Sequence, residues 1–327
     1  MSKPKEILVF GAGVIGAYLT HVLIRGGNKV TVLAREERAK ILKENGLVIY
    51  HHLQRSTTRD YVEAVTDIKG RSFDAAFVVM PYHKLKAALT QIYELNTRLL
   101  VLVGNDLSPA EIEADIRQNA TGIKKILFGF QVSGGKKEEN RYICERFGGS
   151  YMDIGQLHGR ASDKLRRWFE DMFMGTKYKI NWQDDMESYL ICHPAAILPI
   201  GYLSYICDGN LRKSTSIQRK MMFDASHEAY ECLKKKGITV YPKGDEKFYG
   251  KGLRGKLMQF LYFVMAKSKI GDLIACEHCR NSVSEMEEID LFYENLLKDC
   301  LESDLVTWNK LRSMMPPWSG IHEKYGN

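Results

Sequence analysis

A glycine-rich turn set between two strands constrains this chain more than any other feature. Glu6 to Phe10 is a short, largely apolar run, and Gly11-Ala12-Gly13-Val14-Ile15-Gly16 follows it at once. From Val14 to Ile24 apolar residues recur at helical spacing until Gly26-Gly27, and Lys29 to Ala34 then alternates as a second strand. Strand, glycine turn, helix and strand within about 30 residues is the setting in which GxGxxG cradles a dinucleotide. Gly11 allows the tight turn, and Gly16 lets the helix lie close on the sheet. Gly13 lets a pyrophosphate approach the backbone, where the free N–H groups and the dipole of the helix favour negative charge. Gly11, Ala12, Gly13, Val14, Ile15 and Gly16 are therefore the expected cofactor-binding turn.

The end of the second strand selects the dinucleotide. An Asp or Glu there accepts hydrogen bonds from ribose hydroxyls in NAD enzymes. This chain has Ala34 and then Arg35, with Arg38 one turn on. A guanidinium matches a 2′-phosphate in charge and fork geometry, which favours NADP(H). Glu36 and Glu37 are adjacent and keep a ribose contact open. Phe73 to Met80 and Leu99 to Val103 read as strands buried on both faces. Ser108-Pro109-Ala110-Glu111 offers a capping serine and a capping-box glutamate to the next helix. Ile123 to Phe130 and Ser150 to Gly155 extend the sheet.

After Trp182 the texture becomes helical, over 185–207, 214–236, 252–267 and 276–302. A chain of 327 residues has the length of two domains. The expected fold is α/β: a Rossmann-type doubly wound parallel sheet over residues 1–182 and an all-α domain over 183–327. Tyr189 to Cys207 carries no Asp, Glu, Lys or Arg, but holds His193, Pro194, Pro199 and Gly201 and lacks flanking basic anchors. A buried central helix is expected rather than a membrane span. The formal net charge of +7 is spread along the chain, which suits small anions and argues against nucleic acid. Seven cysteines, and an N-terminus without a cleavable leader pattern, point to reduced thiols in the cytoplasm.

In open sheets of this kind ligands bind outside the carboxyl ends of the strands. Asn105 follows the Leu99–Val103 strand and is a candidate there. On the 276–302 helix His278, Asn281 and Glu285 fall at i, i+3 and i+7, one polar face that could line a pocket. His193 lies among apolar residues and needs a partner if buried; Tyr189 is one turn before it on the same face. Cys276-Glu277-His278-Cys279 lacks a second ligand pair at zinc-like spacing, and His227-Glu228 lacks the second histidine of a zinc protease helix. No metal site is expected.

The stretch 7–35 (ILVFGAGVIGAYLTHVLIRGGNKVTVLAR), the Asn105 turn and the helical second half resemble the ketopantoate reductase family. The resemblance implies an NADPH-dependent 2-oxo acid reductase with a helical domain of the 6-phosphogluconate dehydrogenase C-terminal type. It implies that Arg35 contacts the 2′-phosphate, that Asn105 lies near nicotinamide and substrate, and that Glu285 orients the substrate. Departures accompany it. The family's catalytic lysine on the first long helix of the second domain has no counterpart in Asp185 to Pro194. The family's second lysine, after the strand at 75–80, is replaced near Pro81, with Lys84 close by. The NGxG-like turn survives only as Asn105-Asp106-Leu107-Ser108. The expectation is thus a hydride transfer involving a small anionic 2-oxo or 2-hydroxy acid other than ketopantoate. His193 is the acid/base group because its unperturbed pKa lies nearest neutrality, Tyr189 is the second choice, and His278 and Asn281 contact substrate. An NADPH sensor without turnover and an opine-dehydrogenase-like enzyme remain alternatives. Homodimerisation is left open, and neither nucleic acid nor a membrane is expected as a partner.

Overall fold

The structure, a computed structural model, describes residues 3–326. It divides into two compact units, the first ending at Glu187 and the second beginning at Ser188. The change falls five residues after the Trp182 boundary expected from composition. The reason is local: the backbone N–H groups of Met186 and Glu187 donate to the Gln156 and Leu157 carbonyls, which ties the helix start to the first unit.

The first unit runs β1 (Glu6–Phe10), α1 (Val14–Arg25), β2 (Lys29–Leu33), α2 (Glu36–Asn45), β3 (Leu47–His51), β4 (Ser56–Asp60), β5 (Glu63–Val65) and β6 (Ser72–Val79). It continues through α3 (Tyr82–Tyr93), β7 (Asn96–Val103), α4 (Pro109–Asn119), β8 (Ile123–Gln131), β9 (Gly134–Lys137), β10 (Tyr142–Glu145), β11 (Tyr151–Gly155), α5 (Asp163–Glu170) and β12 (Lys179–Trp182). The main sheet has the order β12-β11-β8-β7-β6-β1-β2-β5. All neighbours are parallel except β8 and β11, so the sheet is mixed at that edge. Val9 lies opposite Val32 on one side and Phe77 on the other. Leu8, Val9, Phe77, Val101 and Leu127 are fully buried, which is why β6 and β7 read as unbroken apolar runs. The strand order reverses at β1, and the glycine turn stands at its carboxyl end, the position where such sheets bind ligands.

A second sheet, β4-β3-β10-β9, was not anticipated from the sequence. Its edge strands, Ser56–Asp60 and Gly134–Lys137, are short and polar and carry no alternating apolar signal. Ser108 also departs from expectation. It precedes α4, but its hydroxyl makes no cap, and its N–H donates instead to Asp106 Oδ1 at 3.2 Å.

The second unit is helical: α6 (Met186–Ile206), α7 (Ser216–Lys235), α8 (Leu253–Ala266), α9 (Lys269–Gly271), α10 (Glu277–Asn281), α11 (Val283–Leu297), α12 (Val306–Ser313) and α13 (Trp318–Tyr325). In α6, 72% of the most apolar window is buried, as expected of a core helix. Thr215 and Gln218 form a reciprocal capping box at the start of α7. The single helix expected over 276–302 is broken. A π-helical turn, Asp272–Cys276, leads into α10, and Ser282, at φ −133° and ψ 41°, separates α10 from α11.

Candidate functional site

The first group of candidate residues surrounds the glycine turn. Gly11 has φ +121°, a conformation that excludes side chains, and a Cβ there would overlap the Val79 carbonyl. A Cβ on Gly16 would overlap the Gly11 carbonyl, so this contact between turn and helix admits only hydrogen. Gly13 differs, because a Cβ there would meet nothing within 4 Å. It opens onto space at the N-terminus of α1, where no side chain caps the helix and no acidic residue occupies the first turn. Unclaimed backbone donors and a bare dipole end form a seat for an anion. Two side chains brace it from elsewhere: the Tyr142 hydroxyl donates to Ala12 O at 3.0 Å, and Gln131 Nε2 donates to Ile15 O at 3.2 Å.

Positive charge gathers beside this turn. Arg35 is exposed and occupies the N-cap position of α2. Arg38 donates to Glu139 O at 2.9 Å, and its guanidinium stands 5.5 Å from the centre of the Tyr142 ring, the same tyrosine that braces the turn. Lys137, at the end of β9, joins them. Partial burial, and then the guanidinia of Arg38 and Arg35, hold its ammonium below the ordinary lysine value, with Lys84 adding to the effect and Glu37 opposing it. Lys137 was missed by sequence reasoning because its hairpin was missed; Gly134-Gly135-Lys136-Lys137 was the available signal.

At the end of β7, Asn105 and Asp106 are both buried. Asp106 Oδ1 accepts from Ser108, whereas Oδ2 is buried with no hydrogen-bond partner among the described residues. Burial pushes the Asp106 carboxyl up to about 7, against the pull of Lys86. Sequence reasoning noted the asparagine and passed over the aspartate beside it.

The second unit draws four of the expected residues together. Tyr189 and His193 stack on α6, with centroids 5.9 Å apart and rings inclined by 6°. Burial, followed by the field of His278, lowers the His193 imidazole to about 4. His278 Nε2 lies 3.9 Å from Glu285 Oε2, and the glutamate is buried while the histidine is partly exposed. At Gly201 α6 lies against α11, where a Cβ would meet the terminal methyl of Met286. Asn281 is not part of this group. It is exposed, and its Nδ2 donates to Glu277 O at 2.8 Å and to Glu277 Oε1 at 3.0 Å, back along its own helix.

Comparison with known proteins bears on the fold and the family. Residues 7–159 match the family model of ketopantoate reductase PanE/ApbA. YkpB of Bacillus subtilis strain 168, an uncharacterized oxidoreductase, is 31% identical over 87 residues, which are 27% of this chain and 28% of YkpB. The chain thus aligns with little more than a quarter of that relative. The fold of 2-dehydropantoate 2-reductase from Geobacter metallireducens GS-15 superposes with a TM-score of 0.69 at 16% identity, over 94% of this chain and 99% of that one. The ternary structure of D-mandelate dehydrogenase with NADH and anilino(oxo)acetate also superposes at 0.69, with 13% identity, over 98% of this chain and all of the other. Residues 7–159 thus carry the match to the ketopantoate reductase PanE/ApbA family model, and the chain as a whole has the fold of these dehydrogenases.

Proposed function

We propose that the chain is an NADP(H)-dependent oxidoreductase acting on a small 2-oxo or 2-hydroxy acid, and that ketopantoate is not its specific substrate. The observation that carries this reading is the open cradle at Gly13 beside Arg35, Arg38 and Lys137. The glycine turn would hold the pyrophosphate, and the cations would hold a 2′-phosphate. D-mandelate dehydrogenase was captured with NADH, but a ribose without that phosphate has no use for three cations at the strand end. When bound, the nicotinamide supplies or accepts a hydride.

The chain's own residues must then orient the substrate and manage one proton on its oxygen. Helix α6 contains no lysine, so the proton falls to other groups. His193 is neutral at pH 7, because burial and His278 depress its pKa. Toward a carbinol it therefore acts as the base that takes the hydroxyl proton as the hydride leaves; toward a carbonyl it donates a hydrogen bond, and the alkoxide formed by hydride addition takes its proton from solvent. Tyr189 holds the ring by stacking, and His278 with Glu285 orients the substrate. Asn105, at the carboxyl end of β7, serves the nicotinamide side. None of the seven cysteines is in a disulfide, which supports a reducing, cytoplasmic setting.

The test is NADPH consumption against a panel of 2-oxo acids, with and without amines. Turnover with a 2-oxo acid alone is expected. Turnover only with an amine present would indicate opine-type chemistry. NADPH binding without any turnover would favour a sensor, the second reading, to which the lysine-free α6 also gives weight. Efficient turnover of ketopantoate would overturn the substrate assignment.

A further inference from the structure

Helix α8 presents an apolar face to solvent. Its buried side is formed by Gly255, Tyr262 and Ala266. Around the opposite side Leu253, Leu257, Phe260, Leu261 and Val264 are 85%, 58%, 63%, 51% and 52% exposed. Their spacing of i, i+4, i+7, i+8 and i+11 makes them one stripe. Other exposed large apolar side chains, such as Tyr61, Phe147 and Leu301, are scattered over separate elements. A contiguous apolar patch of this kind marks an interaction surface.

The charge on the helix and its flanks has one sign. Lys251, Arg254, Lys256, Lys267 and Lys269 lie there, and no Asp or Glu occurs from 250 to 271. Lys267 is anchored on the Arg212 and Ser214 carbonyls, at 2.5 and 3.2 Å. At the same end of the helix Arg212, Lys213, Lys269 and Arg280 line a hollow of about 560 Å³, in which Asp208 pairs with Lys213 at 3.2 Å and Asp272 with Arg280 at 2.9 Å.

We propose that α8 is an interfacial helix that docks the protein on an anionic lipid surface. The leucines, Phe260 and Val264 enter the acyl boundary, and Lys251, Arg254 and Lys256 reach the phosphate layer. Fourteen residues are too few to span a bilayer, so the contact is peripheral. Charge complementarity selects this occupant. Two copies of α8 paired through their stripes would set cation against cation with no acid on either helix, whereas a phosphate-rich surface answers every charge. The inference revises the expectation of a chain without membrane contact, which considered only the apolar run in α6.

The experiment is co-sedimentation of the full-length protein with vesicles of phosphatidylcholine alone and of phosphatidylcholine mixed with phosphatidylglycerol. Binding to the mixed vesicles alone is expected. The double variant Leu257→Glu, Phe260→Glu should abolish it. Neutralising Lys251, Arg254 and Lys256 to Gln should weaken it on the order of 100-fold, since each basic residue near such a surface contributes a factor of roughly 5. All five side chains are exposed, so unchanged melting temperatures verify the fold of both variants. Absence of binding to either vesicle, or equal binding to both, would overturn the proposal. So would a dimer in sedimentation velocity that the Glu variant splits, because the stripe would then be the seat of a second copy.

Discussion

His193 and Asp106 are buried titratable groups displaced in opposite directions, one in each unit, and their pH behaviour separates them. His193 is held near 4, so the folded protein favours the neutral ring, and stability is lost as pH falls from about 6.5 toward about 4. Over the neutral range the ring does not change charge. Replacing His193 with Asn should lower turnover roughly 100-fold or more while NADPH affinity persists. A variant that loses stability but keeps normal turnover would mark the histidine as structural. The Asp106 carboxyl moves from 3.8 to about 7, so the folded state retains a proton that the unfolded chain has released. Stability is then full below about pH 4 and falls as pH rises toward 7. Asp106→Asn should remove that slope, raising the unfolding free energy by roughly 2–4 kcal/mol at pH 8 and leaving it unchanged at pH 4. Urea unfolding at the two pH values checks this, and equal effects at both would refute it. Arg35 is exposed, so its contribution is modest: Arg35→Ala should weaken NADPH roughly tenfold and leave NADH unaffected in fluorescence titration.

The turn between β1 and α1 gives the element-scale prediction, because two of its glycines exist for different reasons. Gly13→Ala introduces a methyl into open space, so the melting temperature should hold while dinucleotide binding is lost. Gly16→Ala drives the same methyl into the Gly11 carbonyl and should lower the melting temperature before binding is even measured. Equal destabilisation by both would show that the cradle is packed. This turn was legible in the sequence because three periodicities met there: apolar β1, helical α1 and alternating β2. The long runs of β6 and β7 and the uncharged α6 were legible for the same reason, since burial on all sides leaves a composition that few other structures share. What was not legible came from contacts between distant residues. The edge strands β4 and β9 carry no apolar pattern, so Lys137 stayed hidden with its hairpin. Ser108 had the sequence of a cap, but Asp106 captured its N–H. The break at Ser282 follows a π turn that no local spacing announces, and it divides the single helix expected there. The Glu228 carboxylate accepts from the N–H groups of Thr307 and Trp308 at the start of α12, a cap supplied from 79 and 80 residues away.

At the scale of the molecule each unit carries its own half of the proposed chemistry, which makes the two halves separable by linkage. A ligand that binds only the folded state at 100 times its Kd adds about 2.7 kcal/mol to the unfolding free energy. NADPH should supply that increment through the first unit, and Gly13→Ala should abolish it. A 2-oxo acid substrate should add a second increment, because the proposed reductase holds it on His193, His278 and Glu285 in the second unit. Glu285→Gln keeps the shape of the buried side chain and removes its charge, so the substrate increment should vanish while the NADPH increment stays whole. Thermal unfolding of the full chain with NADPH, with NADPH plus each acid of the panel, and with each variant reads all of these terms. A sensor predicts another pattern: the full NADPH increment, no response to any acid, and no effect of Glu285→Gln beyond a uniform change in stability. A substrate increment that survives Glu285→Gln would instead place the acid elsewhere on the chain, and the role given to the α10–α11 group would fall with it.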